Sequence, residues 1–281
     1  MSQVAQRGTL FVCPTPLGNL EDITLRVLRV LKEVDLIAAE NTQHTQKLLH
    51  HFDIHKPMVS YYDSGSSEAK EEKLIEKLNQ GKSIALVSSA GTPLVSDPGF
   101  KLVRRCYEEG LSVVSLPGPS ACVTALVASG LPTNQFFFAG FLSSKSKARK
   151  TMLKQVKSFP ATLVFYEAPH RILESLKDCL EVLGDRPAAL VRELTKIHEE
   201  VIGGTLSLIV KKVEERPPKG EITLVIAGEE APEEIEPGQL KQEIEALVEK
   251  GVSIREASRE IAKKYDISKN KVYALAHNLT R

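Results

Sequence analysis

Two strings in the second half of the chain crowd titratable groups into very short spans. Tyr166-Glu167-Ala168-Pro169-His170-Arg171 packs a phenol, a carboxylate, an imidazole and a guanidinium into six residues, and Arg192-Glu193-Leu194-Thr195-Lys196 repeats the pattern. Charged side chains at the ends of apolar runs are poor core material and good site material. Such groups can pass protons and orient a polar substrate. Glu167, His170, Glu193 and Lys196 are therefore candidates for acid–base work, with Glu40 a further carboxylate supplied from the first half. Three Gly/Pro loops form a second constellation, each directly after a short apolar run: Cys13–Leu20, Ser88–Gly99 and Pro117–Ala121. Glycine lets a backbone approach a ligand and proline fixes the loop's shape. The residues expected to hold a ligand on these rims are Pro16, Gly18 and Asn19, then Ala90, Gly91, Thr92 and Pro93, then Pro117, Gly118, Ser120 and Ala121. Tyr166 in the second half is a further expected ligand-binding residue. A tight βα turn is the plain alternative for any one loop, but three of them along one sheet rim make a pocket the economical explanation.

Basic residues form a third pattern. Lys145, Lys147, Arg149, Lys150, Lys154 and Lys157 run without an intervening acid. A solvated helix face and a grip on a polyanion both fit this run. Lys145, Lys147, Arg149, Arg171 and Arg192, with Lys269 and Lys271 near the end, are the candidate phosphate contacts. Other signals fail. Gly81-Lys82-Ser83 has Glu76 where a phosphate-binding P-loop needs glycine, and it precedes a strand. His44, His50, His51 and His55 are joined by no cysteine or suitable carboxylate pair, so no metal site is expected. His198-Glu199-Glu200 lacks the second histidine of a zinc-protease helix.

The elements that must position these groups follow from hydrophobic period. Strands are expected at Thr9–Val12, Leu36–Ala39, Met58–Tyr61, Ser83–Val87 and Val113–Leu116. Helices between them are expected at Ile23–Val34, Thr42–Phe52, Ser67–Asn79 and Asp97–Glu109. This alternation implies an α/β domain over residues 1–120 with a mainly parallel sheet. Ala121–Gly130 reads as a helix leading into a second α/β domain, residues 121–229, whose sheet is likewise expected to be mainly parallel. There, strands are expected at Phe136–Ala139, Thr162–Tyr166, Ala188–Arg192 and Glu221–Ala227, and helices at Ala168–Val182 and Thr205–Glu214. An acidic, proline-bearing linker follows at 230–238. A small helical domain at 239–281 closes the chain, with helices at Leu240–Glu249, Ile254–Tyr265 and Lys269–Leu279. The last two, joined by Asp266-Ile267-Ser268, make a helix-turn-helix-like pattern. A small dimerising or packing bundle is the alternative there.

Composition bounds the function. The chain has 281 residues, 42% of them hydrophobic and 26% charged, with a formal net charge of +1, which excludes a generally nucleic-acid-coating protein but leaves room for a local basic patch. The four cysteines are scattered and read as reduced thiols. With no leader-like amino terminus and no run of membrane-span length, the chain reads as soluble and cytoplasmic.

Taken together, these strings resemble the tetrapyrrole-methylase superfamily, and within it the branch that methylates small-subunit ribosomal RNA. The resemblance rests on Thr15–Leu20 with Asp22-Ile23-Thr24, Ala90–Pro93 with Ser96–Gly99, Pro117–Ala121, Tyr166–Arg171, Arg192–Lys196, Gly220-Glu221-Ile222 and the helical tail, and covers nearly the whole length. It implies two α/β domains with S-adenosyl-L-methionine in the cleft between them, and a homodimer. It further implies 2′-O-methylation of a cytidine in the decoding region of 16S rRNA in the small ribosomal subunit. A small-molecule methylase of the same fold, or a non-catalytic nucleic-acid-binding protein on this scaffold, are the alternatives. The departures from the family's pattern are Asn41, Gln43 and Gln46, where it carries Asp and two Arg, and Ser89, where it carries Asp. They bear on RNA grip, efficiency or target.

Overall fold

In the computed structural model, residues 8–62, 67–229, 237–265 and 268–277 are described. The chain divides into two compact units, residues 1–228 and 229–281.

The first half of the larger unit alternates β1 (Thr9–Val12), α1 (Leu25–Glu33), β2 (Leu36–Ala39), α2 (Thr42–His51), β3 (Met58–Ser60), α3 (Ser67–Asn79), β4 (Ile84–Val87), α4 (Phe100–Glu108) and β5 (Ser112–Ser115). The five strands pair in parallel in the order β3-β2-β4-β1-β5. β2 and β4 are buried at every position, as strands covered on both faces must be. Helix α1 shows how the sequence makes a local element. Thr24 caps it by accepting from Val27 N, and Val27, Val30 and Leu31 fall on one face and are buried. Each such fully buried aliphatic side chain contributes about 1.5–3 kcal/mol relative to exposure. Helix α4 starts later than its apolar period suggests: it opens at Phe100 after Gly99, whose φ is 132°. Asp97 and Pro98 therefore belong to the loop rather than to the helix.

α5 (Ala121–Ala128) leads into β6 (Phe136–Phe141), α6 (Ser146–Val156), β7 (Thr162–Glu167), α7 (Ile172–Leu183), β8 (Pro187–Arg192), β9 (Glu200–Thr205), α8 (Leu206–Glu215) and β10 (Ile222–Ile226). The second sheet has the order β6-β7-β10-β8-β9. Its expected parallel character does not hold. Only β6–β7 is parallel, and β7–β10, β10–β8 and β8–β9 are antiparallel. The reason is β9, a strand hidden from the sequence because Gly203 and Gly204 weaken its pattern. It folds back on β8 as a hairpin, and β10 then enters between β7 and β8. One face of this sheet packs on α6, α7 and α8 through Leu163, Phe165, Leu190 and Leu224, and the other packs on α5 through Val164, Val191 and Val225.

The second unit has its own core. Leu240, Ile244, Ala257, Ile261 and Val272 pack together from α9 (Pro237–Glu249), α10 (Ile254–Lys264) and α11 (Lys269–His277). Ser253 caps α10 as its position suggests, accepting from Glu256 N. Asp266, Ile267 and residues 278–281 of the expected helix-turn-helix lie outside the described residues, as do 230–236 of the expected linker. No described helix is long and apolar enough to cross a membrane.

Candidate active site

The three Gly/Pro loops are tied to one another by backbone. Thr15 and Gly91 exchange both amide hydrogen bonds at 2.9 Å, joining the loop after β1 to the loop after β4. Thr92 Oγ1 donates to Pro119 O at 2.8 Å and brings in the third loop. Gly91 has φ 76°, open to glycine and costly for other residues. Leu94 and Ser96 in the same loop also take positive φ (73° and 66°) without being glycine, a local strain held by the surrounding structure.

The first half is then stapled to the second. Asn19 N donates to Thr195 Oγ1 at 3.1 Å, and Gly18 lies against Lys196 so closely that a Cβ would come within 2.2 Å of Lys196 Cγ. Cys122 N donates to the Tyr166 hydroxyl at 3.1 Å, and the Tyr166 ring meets Phe138 and Phe141 edge-on. Between the two sheets lies a cavity of about 340 Å³. Ala90, Gly91, Thr92, Ser120 and Ala121 line one side, and Tyr166, Val191, Leu194 and Thr223 line the other. Its titratable lining is unusual in sign: Glu40, Asp97, Glu167 and Glu221 face it, and among the described residues no Lys, Arg or His does.

The acidic groups are held differently. Ser89 donates to Glu40 Oε2 through both its amide (2.8 Å) and its hydroxyl (2.7 Å). The residue that departs from the family's pattern thus fixes a cavity carboxylate. Asp97 sits nearby, and burial, reinforced by the Glu40 charge, pushes its carboxyl up to about 6 against a weaker lowering by Ser88. Glu167 is buried and fully engaged: Ala168 N (2.8 Å) and Arg171 Nη2 (2.7 Å) hold Oε1, and Ser175 Oγ donates to Oε2. Glu193, with φ 52°, accepts from Glu221 N and from Lys196 Nζ, both at 2.9 Å. The Glu221 amide, ahead of the lysine, holds its carboxyl below the usual range. Lys196 also reaches Glu221 Oε2 at 3.0 Å. Burial pulls the Lys196 ammonium down, but its two carboxylate partners outweigh that and raise it.

Of the five acid–base candidates, Glu40 and Glu167 line the cavity, Glu193 and Lys196 brace its wall through Glu221, and His170 is exposed outside it. Of the expected ligand-binding residues, Ala90, Gly91, Thr92, Ser120, Ala121 and Tyr166 line the cavity. Pro16, Gly18, Asn19, Pro93, Pro117 and Gly118 belong to the same loops but do not line it. Gly118 packs the third loop closely on the first, since a Cβ there would meet Pro14 Cβ at 2.6 Å.

Among the expected phosphate contacts, Lys145, Lys147 and Lys269 are exposed, and Lys271 lies on α11. Arg149 is a correction. It is 1% exposed and ion-paired with Asp178 at 2.6 Å, so its charge closes α6 onto α7 instead of facing a ligand. Arg171 and Arg192 are partly buried and each holds a carboxylate, Glu167 and Glu200. Asp97, Glu221, Phe141 and Leu194 also line the cavity, although nothing in their spacing marked them as site residues except in the case of Asp97. For Asp97 the signal was present in Pro98-Gly99, which stops a helix from starting at 97.

The family model for Tetrapyrrole (Corrin/Porphyrin) Methylases matches residues 9–209. The chain is 44% identical over 278 residues to "Ribosomal RNA small subunit methyltransferase I" of Halalkalibacterium halodurans, covering 96% of this chain and 95% of that one. It is 46% identical over 274 residues to the protein of the same name in Escherichia coli O157:H7, with 96% and 95% covered. Among solved structures, a diphthine synthase superposes with a TM-score of 0.61 at 19% identity, covering 78% of this chain and 89% of that one. At that identity the likeness concerns the fold.

Proposed function

The chain belongs to the tetrapyrrole (corrin/porphyrin) methylase family, within its group of small-subunit ribosomal RNA methyltransferases, and on that premise we propose that it transfers a methyl group from S-adenosyl-L-methionine to the 2′-hydroxyl of a cytidine in the decoding region of 16S rRNA. The observation that carries this is the cavity between the sheets. It is backed by small residues and backbone amides, and lined by carboxylates alone among charged groups of the described residues. That charge suits a cationic sulfonium donor, and the Ala90–Thr92 and Ser120–Ala121 rims offer amides and small side chains to it. The donor's chemistry is an electrophilic methyl group that leaves a neutral thioether behind.

The chain's own residues supply orientation and a proton acceptor. Orientation of nucleophile against methyl carbon is a large part of what such a site can contribute. As the ribose oxygen bonds to the methyl carbon and the carbon–sulfur bond breaks, the 2′-hydroxyl proton must leave. Glu167, Glu193 and Lys196 are engaged in ion pairs, which makes them braces. Asp97, beside Glu40, carries a carboxyl poised near neutrality and is suited to receive the proton. Lys145 and Lys147, with Lys269 on the helical unit, offer phosphate contacts. A second copy of the chain completes the reading as a homodimer in the compartment that holds ribosomes. Phe136, Phe137 and Phe141 on edge strand β6, with Val123 and Val127 on α5, are exposed apolar surface available to such a pairing.

Incubation with labelled methyl donor and 30S subunits, followed by mapping of ribose methylation, tests the assignment. One cytidine 2′-O-methyl in the decoding region is the expected result. Absence of transfer together with absence of donor binding by calorimetry overturns it, and transfer to a small acceptor but not to subunits moves the chain to a small-molecule methylase.

A further inference from the structure

A second cavity, about 580 Å³, opens beside the first at the same end of the second sheet. Consecutive residues divide the two. Val191 lines the first and Arg192 the second, while Lys219 lines the second and Gly220 the first. Val191 and Arg192 are successive residues of β8 and point to opposite faces of the sheet, so the rim at that strand end carries a cavity on each side. Arg192 Nη1 donates to Lys219 O at 3.3 Å and closes that rim.

The charge of the second cavity is opposite to that of the first. Arg192, Lys212, Arg216 and Lys219 line it against Glu200 and Glu215, an excess of two positive charges. Glu200 takes the Arg192 Nε at 2.7 Å and Arg216 Nη1 at 3.5 Å, so it fixes both guanidiniums while leaving N–H groups of each uncommitted. Lys212 and Lys219 pair with no carboxylate among the described residues, and Pro217-Pro218 stiffens the wall between Arg216 and Lys219. A planar guanidinium held in place beside mobile ammonium groups is a good receiver for a phosphate.

Resting on the function proposed above, we propose that this second cavity seats a backbone phosphate of the substrate RNA, close along the strand to the nucleotide whose ribose enters the first cavity. The contrast in sign sorts the strand: phosphates are repelled by the four carboxylates of the methyl-transfer cavity and drawn to the far side of the rim. This holds the strand in register with a ribose, not a phosphate, at the reacting position.

The test is the double variant Lys212→Gln/Lys219→Gln, with Lys212→Arg/Lys219→Arg as the charge-preserving control. Both side chains are exposed, so the fold does not depend on them. Three quantities are read: KM for 30S subunits, affinity for a single-stranded RNA oligomer by fluorescence anisotropy over a salt series, and donor affinity by calorimetry. The glutamine pair is expected to raise KM about tenfold and to lower the salt slope of RNA binding by about 1, given roughly 0.7 for each single-strand phosphate that the protein neutralises. Donor affinity stays within about twofold, and the arginine pair restores the first two. Unchanged KM and salt slope overturn the proposal, as does competition by inorganic phosphate equal to that of the oligomer at matched phosphate concentration, which makes this a small-anion site. If the unmodified protein methylates nothing, the functional reading fails, while the anisotropy arm still decides whether the cavity takes RNA.

Discussion

At the scale of single residues, Asp97 is where structure adds most to sequence. Read by period, it is the first residue of a helix and therefore a solvent-facing cap. The positive φ of Gly99 delays that helix by three residues and turns the carboxyl into the cavity, where Glu40, Glu167, Glu221 and Tyr166 also face it. The linkage sign follows from a folded value near 6 against an ordinary 3.8. Between those values the folded state holds more protons than the unfolded, so stability falls as pH rises through the window, and the full cost is present above it. Asp97→Asn is expected to raise the urea midpoint at pH 7.5 and to leave it unchanged at pH 4. The same change should weaken binding of the cationic donor about tenfold at pH 7.5, the order of one charge-assisted contact. In the unmodified protein donor affinity should climb from pH 5 to 7.5, and in the variant it should stay flat. A variant that binds donor as tightly as its parent at pH 7.5 removes Asp97 from the site. Ser89 was legible as a departure, but its work was not: two hydrogen bonds to a carboxylate 49 residues away cannot be read from spacing.

At the scale of elements, the first sheet was legible because parallel βαβ units announce themselves by alternating periods, and β2 and β4 are continuous apolar runs. The second sheet was legible in its strands but not in their pairing. A helix between two strands suggests a parallel crossover, and α8 does join β9 to β10 in the same direction, but β8 lies between them, and β9, which reverses the chain after β8, hides behind its glycines. The α6–α7 pair shows the same limit in another form. The run from Lys145 to Lys157 reads as one basic face, but a helix turns its residues to different sides. Arg149 and Lys150 point at α7, where Arg149 meets Asp178 and Lys150 meets Asp178 and Glu181, and Arg149 also donates to Ser143 O just ahead of α6. Removing one partner of a buried ion pair leaves the other uncompensated and costs about 3–5 kcal/mol. On that basis Arg149→Ala is expected to lower unfolding free energy by about 3 kcal/mol in urea titration. Arg149→Met/Asp178→Leu should recover most of that loss, because it replaces the pair with packing. Affinity for RNA should be indifferent to both. If Arg149→Ala instead leaves stability intact and weakens RNA binding, the run acts as the single basic face the sequence suggested.

At the scale of the whole molecule, a formal charge of +1 conceals a strong internal division of labour. The larger unit carries an acidic cavity and a basic one on either side of a single sheet rim, so near-neutral totals say little about what the surface recognises. The smaller unit has a core of its own, in which Leu240, Ile244, Ala257, Ile261 and Val272 pack against one another. All residues lining the cavity between the two sheets lie at or before Thr223. The cavity's integrity therefore depends on the three Gly/Pro loops and the two sheets, which the larger unit holds entire. The smaller unit bears Arg255, Arg259, Lys263 and Lys269 on its helices and buries none of them. A chain ending at Gly228 is accordingly expected to fold cooperatively and to bind the methyl donor within about twofold of the full chain. It should also bind 30S subunits at least tenfold more weakly, with a shallower salt dependence, because it neutralises fewer phosphates. Calorimetry with the donor and a salt series of subunit binding separate the two effects. Loss of donor affinity on truncation would mean that the helical unit belongs to the donor site, and full retention of subunit affinity would leave RNA binding to the larger unit alone. Binding energy located in the helical unit would serve to select the assembled target, whereas the rim between the two cavities would choose the nucleotide within it.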